Sequence, residues 1–90
     1  MVDLDIDRCL DDFFQRAEAF IATPDIRLGL ELDELAGRAN TACTTRYGSE
    51  CGITASFTEF MRALPAPDLE RLQRSLDSIR AILAEVKPRV

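Results

Sequence analysis

The chain has 90 residues, 47% of them hydrophobic and 30% charged, with a formal net charge of −5 at neutral pH. That length and mix fit one soluble globular domain over residues 1–90 and exclude a disordered acidic tail. An acidic balance argues against direct nucleic-acid binding, which needs clustered Lys and Arg, and the absence of histidine removes the commonest general base and the commonest metal ligand.

Ile6, Cys9, Leu10, Phe13, Phe14, Ala17, Phe20 and Ile21 fall within an arc of about 140° at the helical period, which predicts a helix from about Asp3 to Ala22. Asp3, Asp5 and Asp7 stand at its start, where carboxylates complement the positive end of the helix dipole. Thr23-Pro24 breaks the pattern and opens the next element, with Thr23 as the expected N-cap.

The second segment carries two periods at once. Ile26, Leu28, Leu30 and Leu32 alternate with Arg27, Gly29 and Glu31, as in a strand. Leu28, Leu32, Leu35, Ala36, Ala39, Ala42, Cys43 and Tyr47 also share one face of a helix. A lone strand needs a partner, and the only candidate is the glycine-interrupted stretch near Ile53. The expectation is therefore a helix from about Asp25 or Glu31 to Arg46, with a soft turn at Gly29. Ile26 and Leu30 would then point away from its main apolar face.

Residues 44–54 turn polar, and Gly48 and Gly52 supply positive φ at little cost, so a loop is expected there. A short helix follows, with Ile53, Phe57, Phe60, Met61 and Leu64 on one face and Leu64-Pro65-Ala66-Pro67 as its end. In the last helix Pro67 is expected in the first turn. Leu69, Leu72, Leu76, Ile79, Leu83 and Val86 follow a 3-4-3-4-3 spacing, with Lys87, Pro88 and Arg89 closing the helix. That narrow seam suits either the monomer's own core or a dimer. The fold expected is all-α: a small three- to four-helix bundle whose long first and last helices pack antiparallel.

Chemistry finds little support. Asp3-x-Asp5-x-Asp7 with Asp11 resembles the opening of a calcium loop, but the positions that require Gly and a bidentate Glu hold Arg8 and Phe14. Cys9, Cys43 and Cys51 lack the short paired spacing of a zinc site, so no metal or other cofactor is expected. Three free thiols are the simplest state, with a Cys43–Cys51 bridge across the turn as the alternative. Cys51, near Arg46 in the loop, is the one thiol worth weighing as a nucleophile, and it has no imidazole to activate it. No catalytic residue is assigned, and the expectation is not an enzyme.

No apolar run approaches the roughly 18–20 residues that cross a bilayer, and the acidic start is unlike a secretory signal, so a cytoplasmic protein is expected. What remains is recognition of another protein. The first 34 residues hold ten acids against three bases, net −7, whereas the rest hold six against eight, net +2. Partner-binding candidates are Asp7, Asp11 and Glu18 on the first helix, the off-face pair Ile26 and Leu30, and Arg46 with Tyr47 as a secondary contact. These fit a small acidic adaptor or secretion chaperone whose partner brings a basic or apolar segment, a homodimer being a further option. The alternative is an acidic inhibitor of the anti-defence or nucleic-acid-mimic type that blocks a basic surface. That reading requires Asp3, Asp7, Asp11, Glu18 and Glu34 to share one exposed face, unpaired with the chain's own arginines.

Overall fold

The computed structural model describes residues 2–48 and 50–86, with side chains from residue 6 onward. Four helices follow one another: α1 (Val2–Ala22), α2 (Ile26–Tyr47), α3 (Ile53–Arg62) and α4 (Leu69–Val86). No strand occurs among the described residues. Lys87, Pro88 and Arg89, expected to close α4, and the side chains of Asp3 and Asp5 lie outside what is described.

The long first and last helices belong to one small bundle. Arg16 bonds Glu31 at 2.7 Å and Phe20 lies against Gly29, so α1 and α2 run antiparallel through the short link between them. Arg71 pairs with Glu59 while Gly52 faces Ile82, which sets α3 and α4 antiparallel as well. Thr44 Oγ1 lies 2.9 Å from Thr54 Oγ1, tying the end of α2 to the start of α3 across the glycine loop. Three reversals leave α1 and α4 running in opposite senses. They meet where Arg80 pairs with Glu18 and stacks 4.8 Å above the Phe14 ring.

One core joins all four elements. Phe13 is fully buried at its centre, with ring centroids of Phe14, Phe57 and Phe60 at 5.3, 5.2 and 5.1 Å. Around it close Leu10, Leu32, Ile53, Leu72, Leu76 and Ile79, all fully or almost fully buried. The radius of gyration, 12.3 Å, matches the about 12 Å of a compact domain this long. The 3-4-3-4-3 seam is therefore spent inside the monomer. Leu72, Leu76, Ile79 and Leu83 are buried, Val86 is half-buried, and only Leu69 is exposed. Of the row offered as a dimer seam, Leu72, Leu76, Ile79 and Leu83 already pack in the chain's own core.

Two helix starts differ from expectation. Thr23 does not cap α2; Asp25 does, its Oδ1 accepting the Arg27 N–H at 2.7 Å. Pro24 stands outside the helix, and a carboxylate one residue later both accepts the free N–H and faces the dipole. Likewise Pro67 precedes α4, and Asp68 accepts from the Arg71 N–H at 3.2 Å. Replacing Asp25 by Ala should cost about 1 kcal/mol, read as a lowered urea midpoint at unchanged slope. Asp25→Asn, which can still accept the bond, should keep most of it.

Candidate functional site

Ile26 and Leu30 are the most exposed large apolar side chains described, at 84% and 72%. They lie one turn apart on α2, away from Leu28 and Leu32, which face the core. An exposed Leu alone means little, since much of any protein surface is apolar. Here the pair forms one wall of a cleft of ≈ 640 Å³. Its floor is the buried Phe20 and Leu64, and its other walls are Pro24, Pro65 and Pro67.

Local sequence explains why the cleft is open. Gly29 has no side chain to fill it, and a Cβ there would come within 3.2 Å of Phe20 Cε2. Phe20 therefore packs against the bare backbone of α2 and leaves the space above vacant. The link between α3 and α4 carries two prolines, which cannot continue a helix and hold the chain beside the start of α2. Fixed φ at these positions limits the backbone freedom of the walls. Asp25 and Asp33 complete the lining, and neither forms an ion pair among the described residues.

No protein-family model, curated protein or solved structure matches the chain. The chemistry of the cleft is accordingly read from its own residues.

The remaining candidates are scattered. Asp7, Asp11 and Glu18 do share one exposed stripe of α1, but Glu18 is taken up by Arg80 of α4. Glu34 bonds Arg38 one turn on, at 2.7 Å, and Glu31 bonds Arg16. Glu18 and Glu34, two carboxylates that a phosphate mimic would need to present, are thus paired with the chain's own arginines. Arg46 and Tyr47 lie at the far end of α2, about 30 Å from Ile26 at 1.5 Å per residue, and Tyr47 packs partly on the core. They do not join the cleft.

A second, polar depression lies between α3 and α4, ≈ 470 Å³, with Ser56, Ser75 and Arg74 around the Arg71–Glu59 pair. Hydrogen bonding to Glu59, then its charge, raises Arg71 above its ordinary value. A raised arginine stays charged at every working pH, so it supplies no base and no titration near neutrality. The cysteines form no disulfide among the described residues. Cys43 is buried, and Cys51 is half-buried with its thiol donating to the Gly48 carbonyl at 3.5 Å. No three Asp, Glu or Cys side chains gather into a metal-sized cluster among the described residues. No described helix is long and apolar enough to cross a membrane.

Proposed function

We propose that this protein is a non-enzymatic interaction module, an adaptor or secretion-chaperone type, that takes an apolar segment of another protein into the α2 cleft. The observation that carries the reading is the coincidence of Ile26 and Leu30, both highly exposed, with a proline-walled cleft beside them. Leaving two such side chains in water forgoes about 1.5–3 kcal/mol each relative to burying them. A partner recovers that energy, less the cost of association, which suits a transient rather than a permanent contact. Extended apolar cover of this kind is how helix-in-groove and strand-in-groove recognition is built.

The test is selection of a displayed peptide library on the wild-type protein, followed by binding of the selected peptides to the Ile26→Asp, Leu30→Asp double variant. Both positions lie near the N-terminus of α2, where added carboxylates suit the dipole, so the fold should survive. Apolar peptides should be enriched, and the double variant should bind them at least tenfold more weakly with its circular dichroism and melting unchanged. Equal binding by the double variant would remove the cleft as the site.

A further inference from the structure

The cleft has a charge pattern as well as an apolar surface. Asp25 and Asp33 bracket Ile26 and Leu30 on the same helix, eight residues and so about 12 Å apart along its axis. Ile26, Leu30 and Asp33 follow i, i+4, i+7, which places them on one stripe of α2. Arg27, the nearest cation in sequence, lines a neighbouring depression with Leu28 and Glu31, which Asp25 also borders. Apolar centre and acidic ends therefore face the same space, with no cation of the chain among the residues that line it.

We infer that the occupant is an amphipathic helix of another protein with two apolar residues one turn apart and a Lys or Arg on each side of them, seven or eight residues apart. The inference rests on the proposed function and names the chemistry of its partner. A helix laid along α2 has the same rise per residue, so its cations must repeat at the interval that separates Asp25 from Asp33. Its two apolar side chains then meet Ile26 and Leu30.

A second copy of this chain fits poorly. A symmetric dimer sets each patch against itself, so Asp25 and Asp33 of one copy would meet those of the other in the order Asp33 and Asp25. Like charges at a closing rim weaken an interface that has only a small apolar centre.

The two carboxylates are not equivalent. Asp25 already accepts the Arg27 N–H and sits on the helix N-terminus, whose dipole carries about half a positive charge. Asp33 makes no ion pair among the described residues and stands clear of that dipole. Asp33 should contribute the larger share of the discrimination.

The probe is a labelled helical peptide with two leucines four apart flanked by lysines eight apart, compared with a peptide carrying glutamates at the lysine positions and with one whose lysines are moved to the opposite face. Binding is read by fluorescence anisotropy at low and high salt. Against wild type the lysine-flanked peptide should bind about tenfold tighter than the glutamate peptide, with the gap narrowing at high salt. Asp33→Asn should close most of that gap and Asp25→Asn, which keeps the cap, less of it. If lysine and glutamate peptides bind equally and Leu30→Asp still abolishes both, the charge inference fails while the proposed function stands. If no helical peptide binds while library-selected apolar peptides do, this inference fails and the proposed function stands; if neither kind binds, both fail. If sedimentation finds a dimer that Leu30→Asp dissolves, the occupant is a second copy, and the inference is overturned.

Discussion

Phe13→Ala should destabilise the protein severely. Phe13 is fully buried and its ring meets Phe14, Phe57 and Phe60 at centroid distances of 5.1 to 5.3 Å. Truncating such a ring costs about 3–5 kcal/mol, part lost transfer energy and part cavity. A domain of this size holds about 5–13 kcal/mol in total, so from about a quarter to nearly all of its stability hangs on one side chain. At about 4–8 °C per kcal/mol the melting temperature should fall by well over 10 °C. Phe14→Ala is the control on the next residue. Its ring is half-buried and touches Arg80 of α4 at the surface, so its loss should be clearly smaller. The readout is urea unfolding of both variants. A loss below about 1 kcal/mol at Phe13 would mean that the aromatic cluster is not the centre of the core.

The same cluster marks how far the sequence could be read. Helical spacing alone placed Phe13 on the inner face of α1 and Phe57 and Phe60 on that of α3, because each face is a local periodicity. That the three rings meet is a tertiary fact with no local signal. The heptad row of α4 was legible in the same way, and so was the choice it left open. Whether Leu72, Leu76 and Ile79 fill the monomer or a dimer depends on what α1 to α3 offer them.

The strand-like alternation at Ile26–Leu32 has a physical explanation. Leu28 and Leu32 face the core while Ile26 and Leu30 face the cleft, so α2 carries apolar residues on two sides. A helix with two apolar sides produces every-second-residue hydrophobicity over a short window. The anomaly in the sequence was therefore the candidate site itself. Its far walls could not be seen, since Leu64, Pro65 and Pro67 arrive from a link more than thirty residues away. Nor could the pairing of Glu18 with Arg80, 62 residues apart, which occupies one end of an acidic stripe that sequence offered for docking. The starts of α2 and α4 were misplaced by a residue or two because Thr-Pro and Pro-Asp offer competing starts, and only backbone geometry chooses between them.

Gly48 and Gly37 should respond to alanine with opposite signs. Gly48 closes α2 at φ 81°, ψ 170°, a region that almost only glycine enters, while its N–H donates to the Thr44 carbonyl at 2.9 Å. The space around it is open, with nothing within 4 Å of an added Cβ, so the penalty comes from the backbone and not from a clash. Gly48→Ala should cost about 1–3 kcal/mol, either as strain or as a rearranged loop between α2 and α3. Gly37 lies mid-helix in ordinary helical backbone and also has nothing within 4 Å of an added Cβ. There alanine removes the entropy that glycine loses on folding, and Gly37→Ala should gain about 0.5–1 kcal/mol. Thermal melts of the two variants should thus move in opposite directions from wild type by several degrees each. D-alanine at position 48, introduced by chemical synthesis, separates the causes, since its mirror-image preference fits positive φ. It should restore the wild-type midpoint or exceed it. If D-alanine were as damaging as L-alanine, the cost at Gly48 would lie in a lost contact rather than in its backbone conformation.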